Sequence, residues 1–313
     1  MPPRTRNLIA IAAGVISALL FSAVMTGSPL SLVVMPFSML PLFLVGLSTG
    51  LGTTLTSSFL ATALVAVMGG LIGSLAYVLT QALPAVAISR YIIKPQKLPN
   101  GSLTWLPPSK ILGYLTAYAA LILMVIFIGS SGFEGGFIGL VERQIATALE
   151  PMMAGNINSK ESITIFARQI AQLAPGTMAG WWLAITIISL GIANLLLKRW
   201  GRNLRPSLEL SKATTPIWVF IAWGASLLLG LVTDGITSII AWNLFQILLV
   251  PFILVGLMVF HSICRGWGPG PIFIGIFYLL IFIRGWPMFL AAALGFAEQW
   301  FRIREKIEGN NPS

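Results

Sequence analysis

The sequence predicts an all-α fold, a polytopic transmembrane helical bundle of about eight to ten spans. Three observations predict it. Of the 313 residues, 57% are hydrophobic and only 9% are charged, with mean hydropathy +0.90, whereas a soluble domain carries about 25% charged residues. The apolar residues form continuous runs near the ~20 that a helix needs to cross a bilayer. An outer-membrane barrel would instead show alternating segments of about ten residues. The net charge of +10 comes from lysines and arginines flanking those runs, as in cytoplasmic loops, so the expected partner is the lipid bilayer and not nucleic acid.

Taken in order, the chain opens with "MPPRTRN" and an apolar run over 8–25. That run exceeds the about 7–15 residues of a signal-peptide core and reads as a retained first span. Ala10, Gly14, Ala18 and Ser22 recur every fourth residue, a stripe that lets another helix approach closely. It serves either internal packing or docking of a partner subunit through Ala10, Gly14 and Ala18. Runs at 30–47, 51–68 and 71–93 complete a four-span part, 1–93, punctuated by "TGSP", "TGLG" and "GG". Thr53, Thr54, Thr56, Ser57 and Ser58 crowd the start of the third span, where hydroxyls bond back to their own helix carbonyls. A fifth run covers 111–131. The segment 133–178 is the one long extramembrane piece. Ile138, Val141, Ile145, Ala148 and Met152, then Ile163, Phe166, Ile170 and Leu173, predict two short amphipathic helices around "GNINS". The pair lies flat on the membrane surface or forms a lid. The C-terminal spans, within 179–306, fall at 179–197, 217–233, 236–263, 271–284 and 286–303, with 307–313 a disordered tail. The eighth run is long and expected to tilt, or to kink near Pro251. The ninth, "PIFIGIFYLLIFIR", reaches only about 21 Å at helical rise; with the tenth it makes either a hairpin of two short spans or one broken span.

Alternating sides from an inner N-terminus puts all but four of the 19 lysines and arginines on the inner face. The four are Arg143, Lys160, Arg168 and Arg284. This bias predicts an even number of spans with both termini cytoplasmic, and so a protein of the bacterial inner (plasma) membrane.

Counting disfavours an enzyme. Asp234 is the one aspartate, His261 the one histidine and Cys264 the one cysteine, so no aspartyl dyad, zinc motif or multi-cysteine metal site forms. No nucleophile elbow or phosphate-binding loop motif occurs. Ser130 and His261 fall on opposite faces, about 30 Å apart. No metal or cofactor is expected. What remains is polar residues inside spans: Gln81, Asn194, and Asn243 with Gln246 one turn apart beside Trp242. Buried amides in lipid bond to another helix, either as interhelical glue or, for Gln81, Trp242, Asn243 and Gln246, as the lining of a ligand cavity. Asp234 and Arg284 fall at outer span ends, where they meet each other, water or headgroups, or join the candidate ligand-binding residues. Trp181, Trp182, Trp242 and Trp286 lie near the same level, as in an aromatic belt.

The chain closes on "LAAALGFAEQWFRIRE". Glu298 precedes Arg302 by four residues, the favourable order for a helical ion pair. With Trp300 and Arg304 these residues read as a cytoplasmic interface anchor. The stretch "LGFAEQWFRIRE" and the hairpins "MTGSPL" and "MGGLIGSLAYVL" resemble the YybS-like family of bacterial membrane proteins, which carries a domain of unknown function. That family is similar in turn to the substrate-binding S subunits of energy-coupling-factor transporters, which capture vitamins and dock through small-residue stripes on the first helix. The resemblance implies a small-molecule substrate, a coupling subunit and an ATPase partner. The rival expectation is a non-transporting membrane scaffold in envelope assembly.

Overall fold

The computed structural model describes residues 2–93, 95–97, 103–132, 134–149, 159–204, 206, 208–209 and 212–309. It is helical almost throughout, the exception being a two-residue antiparallel pair, β1 (Gln96–Lys97) with β2 (Leu103–Thr104). Five helices among the described residues are long and apolar enough to cross a bilayer. The protein is thus an all-α, multi-pass membrane protein. The chain divides into two compact units, Met1–Ile111 with Ala184–Ala213, and Leu112–Leu183 with Thr214–Ser313.

The first unit contains α1 (Pro3–Ser22), α2 (Pro29–Val34), α3 (Leu40–Thr49), α4 (Leu51–Tyr77) and α5 (Leu83–Ile93). The apolar run 51–93 has no loop, yet it is two arms and not one rod. Gly70 sits at φ 64° and ψ −164° inside α4, a left-handed φ that a side chain rarely adopts. The arms fold back on each other, because Thr54 Oγ1 donates to Ser89 Oγ at 3.4 Å across 35 residues. The "GG" break therefore separates two spans, as the punctuation predicts. The second predicted span, by contrast, is broken into α2, a 3₁₀ turn at Met35–Met39 and α3. Pro36 and Pro41 each lack the N–H that an unbroken helix needs. One freed group finds a partner on α1: Ser17 Oγ donates to the Ser38 carbonyl at 2.6 Å and lies 2.6 Å from the Tyr77 hydroxyl. All three residues are buried.

The stripe on α1 faces α4 within this unit. Ala10, Gly14 and Ala18 are buried, and a Cβ on Gly14 would stand 2.8 Å from the Ser57 carbonyl oxygen. Its small side chains are thus occupied by intrachain packing.

The second unit contains α7 (Gly136–Leu149), α9 (Ile217–Val232), α10 (Gly235–Arg265), α11 (Gly270–Arg284), α12 (Pro287–Phe301) and α13 (Ile303–Gly309), with parts of α6 (Pro108–Gly129) and α8 (Ser159–Arg199). Its tightest contact is α10 against α12. A Cβ on Gly256 would overlap the Ala291 carbonyl, and one on Gly295 would overlap the Phe252 carbonyl. The backbones touch, and the order of the pairs makes the helices antiparallel. Around this contact Val219, Leu248, Phe252 and Ala292 form a core, with Phe220, Trp223 and Phe296 packed on it. α10 runs through Pro251 as one helix.

Two expectations need correction. The first amphipathic helix of 133–178 is α7, with Arg143, Gln144 and Thr147 exposed and Ile138, Val141 and Ile145 half-buried. The second is no separate helix: α8 carries it straight into the sixth span. Its buried face is Ala167 and Ala171, while Phe166, Ile170 and Leu173 stay uncovered by the chain. Met152 and most of "GNINS" lie outside the described residues. The expected tail at 307–313 begins as the last turn of α13, and 310–313 lie outside the described residues. The ninth and tenth segments are two helices of 15 residues each, parted by Gly285 at φ 70°.

Candidate functional site

Among membrane helices otherwise faced with hydrocarbon, the first unit holds an open polar cavity of about 220 Å³, lined by Arg6, Asn7, Ala10, Thr49, Gly52, Thr53 and Thr56. Local sequence builds each wall. Arg6 and Asn7 are exposed in the opening turns of α1. Thr49 ends α3. Gly50, at φ 96°, turns the chain and leaves the N-terminus of α4 with no side-chain cap. The first N–H groups of a helix have no intrahelical partner and carry partial positive charge. Gly52 presents bare backbone there, since a Cβ on it would meet nothing within 4 Å.

The hydroxyls divide into two kinds. Thr49 donates to the Val45 carbonyl at 2.8 Å, and Thr56 to the Gly52 carbonyl at 3.0 Å. Thr54 and Ser57 likewise bond back within α4, as expected of this cluster. Thr53 departs from it. Only 5% of its surface is exposed, and its hydroxyl has no hydrogen-bond partner among the described residues.

The same end of this unit gathers positive charge. The Leu204 N–H donates to the Leu47 carbonyl at 3.0 Å, which brings the Arg199–Arg202 turn beside Gly50. Ser89 packs on Gly46, and Arg90 follows it, exposed. No carboxylate lines the cavity.

The amides of the spans fall elsewhere. Gln81 is in the first unit, buried in a wide helical turn at Val78–Ala82. Its Nε2 lies 3.3 Å from the Thr80 hydroxyl, and its Oε1 has no partner among the described residues. Asn243, Gln246 and Trp242 are in the second unit. Asn243 is fully buried and all its bonds are made. Its Oδ1 accepts from the Gly176 N–H, and its Nδ2 donates to the carbonyls of Gln172 and Ile239, both at 2.7 Å. Gly176 and Gln172 are four residues apart, the two halves of one helix rung beside Pro175. The amide of α10 thus joins the backbone of α8 where proline disrupts it. One turn on, Thr177 Oγ1 donates to Gln246 Oε1 at 2.7 Å. Trp242 lies against Gly230 and Phe245. These three side chains bind helix to helix. Asn194 does the same for a loop in the first unit, exchanging two bonds of 3.0 Å with Leu208.

Asp234 caps no backbone group with its side chain at the start of α10. It and Arg284 are exposed, and neither makes a salt bridge among the described residues. Ser130 is a helix-end residue: its hydroxyl accepts from the Phe137 N–H at 3.0 Å.

The closing stretch corrects one pairing. Glu298 bonds Arg304 and not Arg302, with Nε 2.7 Å from Oε1, and the Arg304 N–H adds a bond to Oε2 at 3.3 Å. Both side chains are buried. α12 stops at Phe301 and Arg302 turns left-handed, φ 45°, so the four-residue helical spacing is lost. Arg302 swings out to Glu305 at 3.6 Å, exposed. Trp300 is more than half exposed and packs on Phe220 and Phe296.

Over residues 15–297 the sequence matches the family described as predicted membrane protein (DUF2232). No curated protein and no solved structure matches it significantly.

Proposed function

The chain belongs to the DUF2232 family of predicted membrane proteins, and from that premise we propose that it is a small-solute binding protein of the bacterial inner membrane that works in uptake. The observation that carries this reading is the polar cavity of the first unit, about 220 Å³ in volume and lined by Arg6, Asn7, Thr49, Thr53 and Thr56. Ligand pockets are concave and hold a few convergent polar groups. This one is below the about 300 Å³ where drug-sized pockets begin, so its ligand is small. The protein binds and does no bond chemistry. The likeness to transporter S subunits supplies the rest of the reading: a coupling subunit and an ATPase drive the movement. They dock on a face other than Ala10, Gly14 and Ala18, which α4 covers. Both termini lie in the cytoplasm, which the basic end of the first unit supports, so in this reading the cavity at that end is the inward-open face from which the solute is released.

The test is a thermal-unfolding screen of the full chain in detergent against vitamins, nucleobases, amino acids and small organic phosphates. A ligand is expected to raise the midpoint of the parent protein and not of Gly52→Leu, which sets a bulky side chain on the cavity lining at a position where a Cβ meets no other atom within 4 Å. If no compound stabilises the parent, the binding reading fails.

One observation favours a scaffold instead. The amides of Asn243 and Gln246 are spent on joining α8 to α10. Proximity labelling that captures envelope-assembly proteins and no ATPase would support that reading.

A further inference from the structure

We infer that the cavity between α1 and α4 takes a phosphate group, either of a free phosphorylated solute or of an anionic phospholipid headgroup. This rests on the binding reading above and adds the chemical class of the ligand. Four features converge on an oxyanion. The uncapped first turn of α4, whose first arm runs from Leu51 to the break at Gly70, offers backbone N–H groups beside Gly52, and such a terminus favours negative charge. Thr53 lines the cavity wall with only 5% of its surface exposed, and its hydroxyl, which bonds no described residue, is open to the cavity as a donor. Arg6, five-donor and permanently charged, lines the mouth. The lining holds no carboxylate, while Arg90 and the Arg199–Arg202 turn raise the positive potential at that end. Thr49 and Thr56 give their protons to their own helices, so they leave Thr53 as the donor for the ligand.

Each source of phosphate has support in the surroundings. Leu8, Leu55 and Phe59, on the two helices that form the site, are 67%, 49% and 78% exposed, a surface for acyl chains if the phosphate is a lipid's. A free solute needs only the cavity.

The experiment uses the full chain in a neutral detergent. Unfolding midpoints and affinities are measured with inorganic phosphate, glycerol 3-phosphate, phosphatidylglycerol, phosphatidylcholine and glycerol, for the parent, Arg6→Gln, Thr53→Val and Gly52→Leu. A phosphate-bearing anion is expected to bind the parent. Arg6→Gln and Thr53→Val should each weaken it by about tenfold or more, the size of a hydrogen bond to a charged group, and Gly52→Leu should abolish it. Binding of phosphate or glycerol 3-phosphate assigns a free solute; selective binding of phosphatidylglycerol assigns the lipid. Equal stabilisation by glycerol and glycerol 3-phosphate, or anion affinities unchanged in all three variants, overturns the inference. If a neutral compound binds the parent and Gly52→Leu blocks it, the anion assignment falls while the binding reading stands. If nothing binds, both fall. Thr53→Val keeps the volume of the side chain, and the parent's midpoint without ligand shows whether a variant has folded.

Discussion

Replacing Asn243 by leucine keeps most of the side-chain volume and removes all its hydrogen bonds. Two backbone groups of α8 then lose their partner, the Gly176 N–H and the Gln172 carbonyl. A buried polar group left unsatisfied costs about 1–3 kcal/mol, which gives about 2–6 kcal/mol for the two. Relaxation lowers the figure, since these groups are four residues apart and can close part of the rung between them. Interhelical bonds in membranes average only about 0.6 kcal/mol, with about 1.7 as the upper end. We therefore expect Asn243→Leu to cost about 2–3 kcal/mol and Gln246→Leu, which removes one bond to Thr177, under about 1 kcal/mol. The assay is reversible unfolding in mixed micelles, run as a double-mutant cycle with Pro175→Ala. Restoring an N–H at 175 lets α8 straighten and repair its own rung, so the cost of Asn243→Leu should shrink in that background. A cost equal to that of Gln246→Leu, or additivity with Pro175→Ala within about 0.5 kcal/mol, would refute the reasoning.

Gly256→Leu should cost more than 3 kcal/mol or prevent folding, because its Cβ meets the Ala291 backbone, which cannot move aside; yield and unfolding midpoint check this. Glu298→Gln or Arg304→Met alone should cost about 3–5 kcal/mol by leaving one buried charge, while the double replacement should recover most of the loss. Gly70→Ala should cost about 1–2 kcal/mol for its left-handed φ, whereas Gly52→Ala should stabilise by up to about 1 kcal/mol through helix propensity; unfolding of the pair side by side separates the two kinds of glycine. The Lys212 ammonium, bonded to Glu209 at 2.6 Å in the connection before α9, holds that carboxyl below its ordinary pKa. A depressed folded-state pKa stabilises above the unfolded value and is lost as pH falls through the folded one. The carboxylate signal of Glu209 should therefore titrate lower than that of Lys212→Gln.

The span pattern was readable because run length and Gly/Pro punctuation act locally. "GG" at 69–70 marks a reversal wherever the rest of the chain lies. Pairings were less readable. The four-residue spacing of Glu298 and Arg302 assumes that the helix continues, and no residue type at 302 announces a left-handed turn. The amides of Asn243 and Gln246 were correctly placed inside a span, but that their partners are Gly176, Gln172 and Thr177 depends on how α8 and α10 cross. The cavity was missed for a related reason. Thr53 stands among hydroxyls that behave as the local rule expects, and only the approach of Arg6 and Asn7 on α1 sets it apart. A basic residue in the opening turns of the first span, together with an uncapped helix start after "TG", was the available signal.

Gly70 carries a consequence for the sidedness of the chain. A straight helix over 51–93 would be about 65 Å long, twice the thickness of the hydrocarbon core of about 30 Å. Because the chain reverses at Gly70, residues before α4 and after α5 share a side. One residue without a side chain thus brings Arg90, near the end of α5, back to the side on which Arg6 and the start of α4 lie.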